Sequence, residues 1–247
     1  RDRQVLHYQR ETFVRWWARR SAGRKVGTGK KAALFAGCLV NYQATDVGKA
    51  TVQVLEKNGV EVALPDQSCC GMPSFDIGDT AAMVAAAERT IASLKSWVDQ
   101  GYDVVIPTPS CSLMVKREYV SLVAGDEAKR VAEHTYDISE YLMKMKREGG
   151  LAMDFTQKPG RVAYQVPCHL RDQNIGFKSK ELMECAGAKV EVIEKCSGHD
   201  GSWSAKVEFF PLSMKIAQKA VRMVEQAPAD LVSSDCPLAG LQLDQGG

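Results

Sequence analysis

One pattern is written twice in this chain. The apolar run "KAALFAGCLV" carries Cys38, and "GRVAYQVPCHL" carries Cys168, 130 positions later. A helical stretch follows each run. Val47, Ala50 and Val54 recur at helix spacing in the first, Leu182 and Ala186 in the second. Gly59 and Gly187, 128 positions apart, stand where a left-handed C-terminal cap would end those helices. The short strands "VEVALP" and "KVEVIE" come next, then "CCG" at 69–71 and "CSG" at 196–198. Glycines 71 and 198 are expected to let these loops turn in a way closed to other residues. Longer amphipathic helices follow, one with Val84, Ala87, Ile91, Leu94 and Val98 on a face, the other with Met214, Ala217, Val221 and Val224. A last strand closes each half, "DVVIPTPSC" and "ADLVSSDCP".

Each half therefore reads β-α-β-loop-α-β-α. That order restricts the chain to an α/β fold of two tandem, repeat-related βαβ-type modules with parallel sheets covered by helices. Residues 1–31 form an arm or linker, 32–150 the first module with a connecting helix, and 151–247 the second. Ligands of parallel sheets gather at the carboxyl ends of the strands. Cys38, Cys69, Cys70 and Cys111 all follow strands of the first half, and Cys168, Cys196 and Cys236 follow strands of the second.

Soft thiolates at such positions suit an iron–sulfur cluster, zinc or a redox disulfide. Adjacent cysteines close a mutual disulfide poorly and sit awkwardly around one tetrahedral zinc. They can bind two irons of one polynuclear cluster. Eight cysteines in 247 residues are too sparse for a secreted disulfide scaffold, which favours a reducing compartment. Cys185 lies on a helix with Lys57 as its counterpart and is read as a packing residue.

The net charge of +2 conceals an asymmetry: residues 1–31 hold ten Lys or Arg against Asp2 and Glu11. The body is therefore acidic and lacks the basic stripe of a nucleic-acid binder. "ETFVRWWARRSAGRKVGTGKK" mixes aromatic and basic residues, so it reads either as a helix and linker from a preceding domain or as a contact to an anionic membrane surface. Neither GxGxxG nor GKS/T occurs, and no nucleotide site is read.

The spacing Cys38, Cys69-Cys70-Gly71, Cys111, with "SCSLMVKREY" and "DCPLAGLQLDQ" around the last cysteine of each half, resembles the CCG-domain iron–sulfur proteins. These include the B subunit of heterodisulfide reductase and the C subunit of anaerobic glycerol-3-phosphate dehydrogenase. "VPCHL" and "CSGHDGSW" resemble a bacterial heterodisulfide-reductase-related branch. The resemblance implies an electron-transfer oxidoreductase module, with flavin on another subunit and a quinone or small redox acceptor. The cysteine usage noted above points to a cytoplasmic location, and the composition of the arm to a peripheral place at the inner face of a membrane as a variant.

Departures from the family pattern set the cofactor expectations. Thr108 stands where the first cysteine of a CxxC pair would be, leaving Cys38, Cys69, Cys70 and Cys111. Four thiolates match a 4Fe–4S cluster in number. In the second half Ser197 and Ala239 replace two cysteines. Cys168, Cys196 and Cys236 then need a fourth ligand for a second Fe–S cluster or for zinc. His199 is the candidate and His169 the next. A zinc-stabilised scaffold and a thiol–disulfide reductase stay open as alternatives.

Overall fold

The halves of the sequence build two separate sheets, and every strand pair in both is parallel. The computed structural model describes residues 3–20, 29–200 and 203–247. One unit comprises residues 7–152; the other comprises 153–247 with the N-terminal residues through Leu6.

In the first unit, β1 (Lys31–Leu34) lies between β2 (Glu61–Ala63) and β3 (Asp103–Ile106), and β4 (Thr135–Asp137) pairs with the other edge of β3. Helix α1 (Phe13–Arg19) precedes β1. Helices α2 (Gly37–Tyr42) and α3 (Thr45–Lys57) lead to β2, and α4 (Met72–Asp76) and α5 (Thr80–Val98) lead to β3. Between β3 and β4 run α6 (Pro109–Leu113), a π-helical turn (Met114–Glu118), α7 (Tyr119–Leu122) and α8 (Asp126–Glu133); α9 (Ile138–Arg147) follows β4. The connecting segment thus supplies a strand and further helices where the sequence suggests one helix. β4 is three residues long and too short to leave a readable alternating run.

The apolar periodicity of α5 is realised, with Ala87, Ile91, Leu94 and Val98 buried in a core shared with Val104, Ile106 and Tyr119. Helix α3 departs from the expected face. Val54 is exposed, and the helix buries Gly48, Val52 and Leu55 instead. The reason is α1: the Phe13 ring lies where a Cβ on Gly48 would stand, 2.7 Å away. Phe13 is fully buried, with Trp16 and Trp17 packed beside it. Arg20 stacks over both indoles and pairs with Glu56. The aromatic residues of the supposed arm therefore belong to the core of the first unit. Its Gly-rich part, 21–28, lies outside the described residues.

The second unit repeats the plan with a smaller sheet, β6-β5-β7. It contains β5 (Arg161–Gln165), α10 (Cys168–Arg171), α11 (Lys178–Cys185), β6 (Lys189–Ile193), a 3-10 turn (Val207–Phe209), α12 (Phe210–Gln226), β7 (Leu231–Ser234) and α13 (Pro237–Gly246). Its core joins Ala163 and Ile193 to Ala217, Ala220, Val221 and Leu243. No described strand pairs with the outer edge of β7, and Leu231 and Val232 are about half exposed there. Arg3 reaches α13, where it donates to Gln242 and Gln245. Among the described residues no helix is long and apolar enough to cross a membrane.

Candidate metal centres

Because the strands are parallel, the segments that follow β1, β2 and β3 emerge at one edge of the first sheet. Cys38 is the second residue of α2, Cys69 and Cys70 end the loop after β2, and Cys111 lies within α6. The four thiols form a series. Cys38 Sγ is 3.8 Å from Cys69 Sγ, Cys69 hydrogen-bonds Cys70, and Cys70 hydrogen-bonds Cys111. Cys70 and Cys111 are buried; Cys38 is exposed.

The tendency to ionise alternates along this series. The Cys38 and Cys70 thiols and the Gly71 N–H hold Cys69 far below the ordinary thiol range, to about 2. The Cys70 thiol and then the Thr108 hydroxyl lower Cys111, against its burial. Cys38 and Cys70 are pushed up in return, as the donors of these bonds. Negative charge is thus favoured on Cys69 and Cys111 and disfavoured on Cys38 and Cys70.

The backbone leaves room for this set. Gly37 has φ +64°, and a Cβ there would lie 3.1 Å from Cys111 Sγ. Gln67 braces the same turn: its Oε1 accepts from the N–H groups of Ala36 and Gly37 at 2.6 and 3.0 Å, and its Nε2 donates to the Leu34 carbonyl at 3.2 Å. Behind the cluster loop, the buried Tyr119 hydroxyl donates to the Cys70 carbonyl at 2.7 Å. The π-helical turn, which adds a residue to the regular helical repeat, immediately precedes Tyr119. The buried Thr108 hydroxyl makes no regular hydrogen bond, yet it is near enough to Cys111 to favour the thiolate there. Sequence reasoning missed Gln67, and it quoted Tyr119 only as the end of "SCSLMVKREY", with no role assigned to it. It treated Thr108 only as a missing cysteine.

The second module repeats the loop chemistry with fewer thiols. Cys168, the first residue of α10, hydrogen-bonds Cys196. The Gly198 N–H approaches Cys196 Sγ at 3.3 Å, just as Gly71 N–H approaches Cys69. Together these donors lower Cys196 to about 6, the Cys168 thiol contributing most. Gly198 has φ +73°, and a Cβ there would fall 2.2 Å from the Ser213 carbonyl oxygen on α12. Cys236 caps the N-terminus of α13.

His199 lies next to this loop. Burial first, and then the nearby Arg3 charge, lower its imidazole to about 4, so it is neutral and able to act as a donor ligand. Its ring makes no hydrogen bond to a cysteine sulfur among the described residues. Next to Cys236, Asp235 is held by Tyr164 and Ser179, and burial pushes its carboxyl up. This buried group was not anticipated either; a polar Gln165 and Asp235 at the ends of apolar strands were the available signal. Cys185 is half-buried on α11.

The donor set of the first module fits a cluster with four thiolate ligands in number and kind. Among the described residues no three His, Cys, Asp or Glu side chains converge in the way a single metal ion requires.

A family model described as a cysteine-rich domain, CCG, matches residues 32–116 and again 162–244. The chain belongs to the CCG cysteine-rich domain family. Each CCG match takes in the cysteine-bearing part of one half: the first spans β1 to β3 and stops short of β4, the second spans β5 to β7. The chain is 32% identical over 230 residues to lactate utilization protein A of Geobacillus thermodenitrificans, covering 88% of this chain and 90% of that one. Against lactate utilization protein A of Bacillus pumilus the identity is 31%, over 88% and 91%. Against the C subunit of anaerobic glycerol-3-phosphate dehydrogenase of Escherichia coli it is 28%, over 98% of this chain and 61% of that protein.

Proposed function

We propose that this chain is an iron–sulfur electron-transfer module of an oxidoreductase, with a 4Fe–4S cluster held by Cys38, Cys69, Cys70 and Cys111. The observation that carries this is the contiguous series of four thiols at one sheet edge, with Cys69 and Cys111 already favoured as thiolates. The names of its relatives, a lactate utilization protein and a dehydrogenase subunit, agree with a place in substrate oxidation. A bound cluster would supply reversible one-electron transfer without proton chemistry of its own.

The chain's residues would set the conditions for it. Gly71 N–H and the Thr108 hydroxyl stabilise charge on sulfur. Burial of Cys70 and Cys111 excludes water, and Gln67 and Tyr119 hold the loops in place. The second module, through Cys168, Cys196, Cys236 and His199, would take a second cluster or a zinc ion. The partner would be a flavoprotein dehydrogenase on one side and a quinone or small redox acceptor on the other, in a reducing, cytoplasmic setting. Iron, sulfide and zinc per chain in anaerobically purified protein test this. Iron and sulfide with visible absorbance that bleaches on reduction support it; zinc alone overturns it in favour of a structural role.

A further inference from the structure

The outer face of α12 and the turn before it is apolar and basic. Val207 is 73% exposed, Leu212 52%, Ile216 39% and Phe209 38%. On the helix, Leu212, Lys215, Ile216, Lys219 and Arg222 recur at three- and four-residue steps and so share one face. Ser213, Ala217, Ala220 and Val221 face the core on the other side. Elsewhere the basic side chains are commonly paired, as in Arg20–Glu56, Lys116–Glu140 and Lys144–Asp103. Lys206, Lys215, Lys219 and Arg222 form no ion pair among the described residues, and Glu208 is the one acid between Lys206 and Arg222. The counterpart helix α5 shows no such patch; it presents Ala81, Ala82, Glu88, Arg89, Ala92 and Ser96.

The inner side of α12 lies against the Cys196 loop. Ser213 Oγ donates to the Gly198 carbonyl at 2.7 Å. A molecule seated on the outer face would therefore be about one helix diameter, roughly 10 Å, from that loop. We propose that Val207, Phe209, Leu212 and Ile216, ringed by Lys206, Lys215, Lys219 and Arg222, form the docking surface for a soluble protein electron carrier with an acidic rim. This rests on the electron-transfer reading above. Charge complementarity selects the occupant, because unpaired cations around an apolar centre speed encounter with an acidic partner. A second copy would bring like charges together. Phe209 and Ile216 are set into the surface rather than standing clear to enter a lipid boundary.

The test uses the full chain, purified anaerobically, with an acidic plant-type ferredoxin as probe. Binding is followed by biolayer interferometry and reduction by stopped flow, with dithionite as the small-molecule control. Lys215→Glu with Lys219→Glu, and Leu212→Gln with Ile216→Gln, are each expected to weaken binding and slow reduction about tenfold or more at low salt. Dithionite reduction and iron content should not change, and Lys129→Glu with Arg147→Glu should behave as the parent. Absence of ferredoxin binding, or equal binding by all variants, would overturn the proposal. So would a concentration-dependent dimer, or binding to phosphatidylglycerol vesicles, that the same variants abolish in place of ferredoxin binding. Iron-free protein that still binds ferredoxin through this face would keep the docking surface and defeat the electron-transfer reading instead.

Discussion

The backbone N–H of Gly198 points at the sulfur of Cys196 from 3.3 Å. Directly after this amide the glycine adopts a left-handed conformation, which redirects the chain that follows. The same residue lets α12 close over the loop. Gly198→Ala is therefore expected to cost at least about 2 kcal/mol, through backbone strain and the clash with Ser213. Gly78→Ala, with a similar φ of +76° but open space around it, should cost about 1 kcal/mol. Urea melts of the two variants compare them directly.

In metal-free protein the Cys196 thiol is depressed from 9.0 to about 6. A depressed acid contributes stability that is fully present above its unfolded value and is lost as pH falls through its folded value. This contribution should therefore decline from above pH 9 down to about 6. At pH 7 iodoacetamide should label Cys196 ahead of Cys168, whose thiol is raised, and labelling of Cys196 should fall as pH drops through about 6. Peptide mass spectrometry at several pH values measures this.

Cys69→Ser and Cys70→Ser are each expected to lower the iron content of anaerobically purified protein, whereas Cys185→Ser leaves it unchanged. The reason is position: Cys69 and Cys70 are the middle of the thiol series, and Cys185 sits on α11. Iron per chain by mass spectrometry decides between equal and unequal loss.

Thr108→Val keeps the side-chain shape and removes the hydroxyl that faces Cys111. Hydrogen bonds to sulfur favour the reduced, more negative state. Their loss should lower the potential by on the order of 40 mV, the one-electron equivalent of about 1 kcal/mol. An anaerobic titration with redox dyes reads the shift, and an unchanged midpoint would remove Thr108 from the tuning of the site.

Much of the architecture was legible because the repeat carries signals at several levels. Gly59 and Gly187 end their helices with positive φ, and the longer helices bury the expected Ala87, Leu94, Ala217 and Val221. The cysteine positions followed from strand order alone. What escaped depended on contacts between distant segments. The buried face of α3 shifted because Phe13 selects Gly48 as its neighbour, and no periodicity within α3 contains that information. Gln67 acts by bridging backbone groups some 30 positions away, a role that a single glutamine in a loop does not announce.

The outer edge of β7, which no described strand covers, has a practical consequence. A row of backbone donors and acceptors beside half-exposed Leu231 and Val232 is a template onto which another extended chain can add. Concentrated or warmed solutions of this polypeptide should therefore lose material to aggregation that begins at this strand, and a lysine in place of Val232 should keep it dispersed.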